Sequence, residues 1–160
     1  MMDIESIKDR LDYCPQTGEF RWSRDGGTRA RKGALAGSVN AIGYRLIRIG
    51  KKDHLAHRLA WAFVHGVAPP MIDHVDGNKL NNAIGNLRAA NKSLNGANRG
   101  AQRNSLSGCK GVSKHHRKWT ATITINGKGK YIGLYDTKEE ASAAYMRAAE
   151  AAFGEFVRAA

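Results

Sequence analysis

The chain has 160 residues, room for one ordinary domain or two small ones, and its 42% hydrophobic content supports a modest core and argues against a disordered tail. Lysine and arginine number 26 against 14 aspartates and glutamates, and the net charge of +12 points to a polyanionic partner. The sequence holds no run of about 18 apolar residues to span a bilayer, and MMDIESIKDRL carries charges where a signal peptide needs an apolar core. Cys14 and Cys109 stand alone, outside any CxxC pattern, so they build neither a zinc site nor a disulfide scaffold. The expectation is a protein with reduced thiols in a cytoplasm and no membrane partner.

In chain order, Ile4, Ile7 and Leu11 recur at i, i+3 and i+7 and predict a short helix over residues 1–12. Residues 13–22, YCPQTGEFRW, read as two short strands around a Pro to Gly turn. Residues 23–37, with Gly26-Gly27, Arg29, Arg31 and Lys32, read as a loop that is either a linker or a contact to a phosphate backbone. From Gly43 the pattern alternates: Tyr44, Leu46 and Arg48 face one way, and Arg45, Ile47 and Ile49 the other. Gly50-Lys51-Lys52 then turns the chain into a hairpin closing through Leu55-Ala56. Residues 57–64, HRLAWAFV, predict a helix that ends at Gly66 before Pro69-Pro70, with Leu59, Trp61, Phe63 and Val64 toward the core. His54, His57 and His65 do not pair with carboxylates at ligand spacing, which argues against a metal site there.

Residues 72–98, IDHVDGNKLNNAIGNLRAANKSLNGAN, organise the rest. The turn signals Asp76-Gly77-Asn78, Asn81-Asn82 and Gly85-Asn86 exclude a single long helix. The stretch reads as a strand at 71–75, an excursion, a strand near 86–88 and a helix over 90–98 that sets Asn91, Asn95 and Asn98 on one face. Asp73 with a helix asparagine offers two oxygens to a hard cation such as Mg²⁺, which keeps several waters and takes few protein ligands. His74 lies on the other side of the strand, and a histidine is poised to take a proton from water near neutral pH. A cation at the leaving oxygen and a base at the attacking water describe phosphodiester hydrolysis.

The motif DHVDGN, the NLR beginning ten residues after Asp76, and the Asn seven residues beyond Arg88 resemble the HNH endonucleases. These are the ββα-metal or His-Me finger nucleases, and within them the sequence resembles the phage homing branch with its DH…N…N pattern. The resemblance implies His74 as general base, Asn86 as the residue that orients it, and Asp73 with Asn95 as metal ligands. Asn95 stands where stricter members have histidine, which favours Mg²⁺ or Mn²⁺ over zinc, and Leu94 replaces the usual acidic residue before it. The order LDYCPQTGEFRW, GYRLIRI and AHRLAW extends the likeness to the N-terminal part of phage HNH proteins, over nearly all of residues 10–99.

Between Asp76 and Asp136 no acidic residue occurs, while Lys79, Arg88, Lys92, Arg99, Arg103, Lys110, Lys114, Arg117, Lys118, Lys128 and Lys130 supply eleven positive charges. A second acid-free run, between Asp25 and Asp53, carries seven. Such runs suit a phosphate backbone and predict binding that weakens with salt. Residues 99–108 are polar and basic without an apolar period, which sets the expected boundaries: a nuclease domain at 1–100 with a β-rich N-terminal portion, a basic linker at 101–106, and a second domain at 107–160.

In that second part a strand begins at 111–114, and residues 118–125 alternate strictly, with Trp119, Ala121, Ile123 and Ile125 against Thr120, Thr122 and Thr124. Asn126-Gly127 signals a hairpin turn to a return strand at 128–134. Thr137 with Glu140 forms a capping box for an alanine-rich helix over 138–152. KGVSK, KWTATI, YIGLYDTKEEASAAY and FGEF resemble the Apetala2/ethylene-response-factor DNA-binding domain over about residues 107–157. The resemblance implies that one sheet face enters the major groove, with Lys110, Ser113 and Lys114, Thr122 and Thr124, and Tyr131 at reading positions. Arg117, Lys118 and Lys128 join them as basic DNA contacts. Threonines and a tyrosine lack the bidentate grip of arginine on guanine, so modest specificity is expected. The alternative for these threonines is simple β-propensity on a solvated face.

The expected fold class is α+β: a ββα-metal HNH nuclease core with a β-rich N-terminal part, followed by a small three-stranded antiparallel sheet plus one helix. The expected function is a metal-dependent DNA endonuclease of homing type that nicks double-stranded DNA with a histidine base and one Mg²⁺ (or Mn²⁺), in a phage-infected or prophage-bearing bacterial host. One site per chain implies a monomer that nicks, with a dimer open. The alternative from another class is a DNA-binding regulator on an inactive HNH fold.

Overall fold

The computed structural model describes residues 4–28, 30–102 and 104–157. Arg29 and Arg103, counted above among the basic residues, lie outside the described residues, as do residues 1–3 of the expected first helix. The architecture is mixed α and β, with small antiparallel sheets and few helices, and the chain forms two compact units, residues 1–90 and 91–160.

The first unit opens with α1 (Ile4–Lys8) and a hairpin of β1 (Leu11–Tyr13) and β2 (Phe20–Trp22). The helix is shorter than its apolar spacing predicts, because Leu11 is spent in β1 and is buried there with Phe20. A three-stranded sheet follows, in the order β3 (Ser38–Val39), β4 (Arg45–Ile49), β5 (Lys52–Leu55). The pairing of β4 with β5 is the hairpin read from the alternation, whereas β3 lies inside the residues expected to border a loop. Helix α2 (Ala56–His65) buries Leu59 and Ala60, and it stops at Gly66, whose φ of 82° suits a residue without Cβ. Val64, expected in the core, is instead exposed, since its position on α2 turns away from the Leu59 stripe.

The hairpin of β6 (Met71–His74) and β7 (Leu87–Ala90) pairs Asp73 with Arg88 and His74 with Leu87. Between the strands runs a loop that ends in a 3₁₀ turn, Ile84–Asn86, so Asn86 sits in that turn and not in the strand expected for it. The turn of the first hairpin packs directly against this loop. Gly18 has φ +75°, and a Cβ there would lie 2.2 Å from both Ala83 N and Asn82 C. No other residue fits at that point.

The second unit begins with α3 (Lys92–Ala97), capped at its start by Asn91, whose side chain accepts from the Leu94 N–H. Asn91 is therefore a cap and not part of a helix face with Asn95. Strands β8 (Val112–His115), β9 (Lys118–Ile125) and β10 (Lys128–Tyr135) form one antiparallel sheet in the order β10-β9-β8. Helix α4 (Lys138–Phe153) covers it, with the capping box of Thr137 and Glu140 in place. Ala121 and Ile123 from the sheet and Ala141, Tyr145 and Ala149 from the helix make its core. Helix α3 belongs to this unit because Leu94 and Ala97 pack into that core, and because Ser93 Oγ accepts from the Asn126 N–H at 3.1 Å. The compact division thus falls after Ala90, ahead of the basic segment at 101–106.

Candidate active site

Strand β6 delivers Asp73 and His74 to different surroundings, as a pleated strand must. Asp73 is buried, and its Oδ2 accepts from Arg88 Nε at 3.0 Å and Nη2 at 2.9 Å. The pairing follows from register, because Arg88 stands opposite Asp73 on β7. Both side chains are largely shielded, at 5% and 14% exposure, so the guanidinium neutralises a carboxylate that burial would otherwise penalise.

His74 is buried on the other side. Its Nε2 lies 3.3 Å from Asn82 Oδ1, the His57 ring meets its ring in a T-shaped arrangement at a centroid distance of 5.2 Å, and Tyr44 stands at 6.1 Å. Burial pushes the His74 pKa down, against the Asn82 hydrogen bond and the charges of Asp76 and Asp73, and Lys79 adds to the lowering. The shift disfavours the protonated imidazole and favours the form that accepts a proton. Burial, with the neighbouring His74 and Arg58, pushes His57 down to about 4.

The loop between β6 and β7 is built from its own polar side chains. Asp76 Oδ1 accepts from the Asn78 N–H at 2.7 Å and from Asn86 Nδ2 at 2.9 Å, while its Oδ2 accepts from Asn81 Nδ2 at 2.8 Å. Asn86 completes the ring by accepting from the Asp76 N–H and donating to the Asn81 carbonyl. Burial works to raise the Asp76 pKa, but the bonds from Asn81, the Asn78 backbone and Asn86 outweigh it and leave the group below its ordinary value. Asn86, expected to orient His74, ties the two ends of this loop together; the side chain that meets the imidazole is Asn82. The first hairpin supports the arrangement from outside. Tyr13 donates its hydroxyl to the Asn82 carbonyl at 2.8 Å, and the Ile84 N–H donates to the Pro15 carbonyl at 3.0 Å.

Sequence reasoning missed Asn82, His57 and Tyr44. Asn82 was visible only as half of an Asn-Asn turn signal, and a turn asparagine gives no sign that it will point inward. His57 had been read as a helix residue without a metal role. No cluster of three or more His, Cys, Asp or Glu side chains able to hold a metal occurs among the described residues. A hard cation that keeps most of its waters asks for less than such a cluster, and the carboxylate chemistry of Asp73 fits it. Asn95 lies in α3 of the second unit.

In chain order these residues give a strand bearing Asp-His, a polar loop, a strand and a short helix. Residues 54–97 match the HNH endonuclease family. An uncharacterized HNH endonuclease of Acanthamoeba polyphaga mimivirus is 38% identical over 150 residues, spanning 91% of this chain and 70% of that protein. The chain belongs to the HNH endonucleases. Protein 3.8 of Escherichia phage T7 is 40% identical over 76 residues, which cover 45% of this HNH chain and 63% of that protein, a little under two thirds of its length. The nuclease family is thus shown by the long match, and the residues of the β6–β7 hairpin fall inside the matched segment.

The second unit of this HNH chain presents the expected basic and polar residues unevenly. Thr122 and Thr124 are exposed on the sheet face turned away from α4, and Tyr131, paired in register with Thr122, is 61% exposed beside them. Ser113 joins that face through a 2.8 Å bond to Thr120. Lys114 does not: it is opposite Trp119 in register, and its ammonium stands 5.9 Å from the Trp119 ring. Lys110 is half-buried, donating to the carbonyls of Gly96, Ala97 and Arg99 at 2.7, 2.5 and 2.7 Å, and its pKa is lowered by burial and by Arg99. It closes the C-terminal end of α3. Lys118 pairs with Asp136 at 2.9 Å, while Arg117 and Lys128 are exposed beside the turns that flank β9.

Proposed function

We propose that this HNH protein is a divalent-metal-dependent DNA endonuclease that nicks duplex DNA, of the homing type carried by phages and prophages, working in the cytoplasm of a bacterial host. The observation that carries the reading is a buried His74 beside a charge-paired Asp73 on the β6–β7 hairpin. His74 takes a proton from water as the water oxygen bonds to phosphorus. The P–O bond to the 3′ oxygen breaks, and that oxygen takes up a proton, leaving a 5′-phosphate and a 3′-hydroxyl. A bound Mg²⁺ or Mn²⁺ supplies stabilisation of the charge developing on the leaving oxygen. Asp73 is the ligand proposed for it, and the sequence pattern adds Asn95. Arg88 holds the Asp73 carboxylate in one orientation, and Asn86 with Asp76 keeps the loop in shape.

The second unit serves as the DNA-binding module, with an Apetala2-like sheet presenting Ser113, Thr122, Thr124 and Tyr131, and with Arg117 and Lys128 on the phosphates. Binding weakens steeply with salt, because backbone contacts release counterions. One site per chain makes the monomer a nicking enzyme. The test is relaxation of supercoiled plasmid in Mg²⁺ or Mn²⁺, with EDTA and His74→Ala as controls. Open-circle product that needs both metal and His74 supports the reading. Tight salt-sensitive binding without cleavage on any DNA refutes it in favour of a regulator.

A further inference from the structure

We infer that Lys110 is a positioning residue of the nuclease: it ties α3, the helix that carries Asn95, to the sheet of the second unit, and so gives that unit a part in metal binding besides its part in DNA binding. The inference deepens the nuclease reading above and rests on it for the role of Asn95.

Helix α3 does not stand by its own sequence. It runs only from Lys92 to Ala97, and Ser93, Asn95 and Gly96 within it are weak helix formers, so such a segment in isolation is unfolded in water. The HNH match extends to residue 97 and includes this helix, yet the anchors of the helix belong to the second unit. Leu94 and Ala97 pack into the core beneath α4. Ser93 Oγ accepts the Asn126 N–H at the turn between β9 and β10. Lys110, at the entry to β8, takes hold of the other end.

The chemistry of that hold is specific to an ammonium. Lys110 Nζ has three hydrogens to give, and it meets three carbonyls, those of Gly96, Ala97 and Arg99. The C-terminal carbonyls of a helix lack partners within it, and the negative end of its dipole lies there, so a cation is the fitting cap. A guanidinium keeps the charge, but its planar fork does not reproduce three converging bonds. Packing does not make the tether redundant. A cleft of about 760 Å³ is lined by Lys92 and Gly96 from α3 and by Thr122 and Thr124 from β9. The helix therefore meets the sheet at a few points and not along its length, and the loss of one point loosens the segment that bears Asn95. The two threonines of this cleft belong to the proposed DNA face, so the helix and that face share a wall.

The experiment uses the full-length protein as wild type, Lys110→Met, Lys110→Arg and Ser93→Ala. It measures amide hydrogen exchange over residues 92–99, the Mn²⁺ dissociation constant from the paramagnetic resonance signal of the free ion, duplex binding without metal, and plasmid nicking. In Lys110→Met, exchange over 92–99 is expected to quicken at least about tenfold while β9, β10 and α4 keep their protection, and Mn²⁺ binds about tenfold more weakly, with duplex binding within about twofold of wild type. Lys110→Arg, which keeps a cation at the helix end, recovers part of the Mn²⁺ affinity. Ser93→Ala frees the other end and weakens Mn²⁺ binding about threefold. Unchanged exchange in a folded Lys110→Met overturns the inference. Faster exchange with unchanged Mn²⁺ affinity also overturns it, since Lys110 then serves the fold alone; both results leave the nuclease reading standing. Where Lys110→Met does not fold, a folded Ser93→Ala with wild-type exchange and Mn²⁺ affinity overturns the inference. The expected shifts in exchange and Mn²⁺ affinity, with no nicking by any sample, overturn the nuclease reading and leave the hold of Lys110 on α3 standing. A wild type that binds no Mn²⁺ overturns both.

Discussion

The β6–β7 loop of the first unit and the β8–β10 sheet of the second are held by opposite means. The sheet rests on alternation: Ala121 and Ile123 go inward, Thr122 and Thr124 outward, and the same rule places every residue along the strand. The loop rests on particular polar atoms, with Asp76, Asn81, Asn82 and Asn86 each satisfied by named partners. A pattern tolerates substitution within its type, whereas a closed set of hydrogen bonds tolerates it less, because each member fills a position that the others' geometry requires, and Asn82 does so while buried. The proposed chemistry sits in the intolerant region and the proposed DNA-facing surface in the tolerant one.

The largest expected effect is at the base. His74→Ala lowers nicking by about 10²- to 10⁴-fold while leaving the DNA dissociation constant within about twofold, as measured by plasmid relaxation and by filter binding. A comparable loss of binding would mean that the hairpin serves recognition and not chemistry. Next is Arg88→Met, which leaves the buried Asp73 carboxylate without its counter-charge. Destabilisation of about 3 kcal/mol in urea titrations is expected, with most of it recovered in the Asp73→Asn/Arg88→Met double variant.

His57 tests the same region through pH. Its folded pKa of about 4 lies below its ordinary value of 6.5, so the unfolded chain binds a proton first as pH falls. The His57 contribution to stability is whole above about pH 6.5 and is lost progressively down to about pH 4, a total of roughly 3 kcal/mol. His57→Phe flattens that dependence. A variant that melts with the same pH slope as wild type would show that His57 is not the group responsible.

In the second unit the effects are smaller. Tyr131→Ala weakens duplex binding by about tenfold without changing the rate of cleavage at saturating protein, since base contacts specify and do not react. Thr137→Ala removes one half of the capping box and costs about 1 kcal/mol, measured by thermal melting.

Much of this was legible beforehand. The strict period of residues 118–125, the Asn126-Gly127 turn and the Thr137 cap are local signals, and the corresponding elements stand where they were read. The Asp-His pair and its hairpin were equally plain, because adjacent strand residues must face opposite ways. What failed did so for long-range reasons. Leu11 left its helix for a strand that buries it against distant residues, and Lys110 gave its charge to the end of α3 and not to the sheet face. Lys114 sided with Trp119 because register, not composition, decides the face of an edge strand.

The sequence by itself determined the family, the strand that carries Asp73 and His74, and the alternation of the second sheet, since each depends on neighbours within a few positions. Tertiary structure alone decided that Asn82 and not Asn86 meets the imidazole, and that His57 and Tyr44 stand against it. Those choices depend on which of several equivalent polar side chains is turned inward. That is set by distant contacts such as Gly18 against Ala83, which no local pattern records.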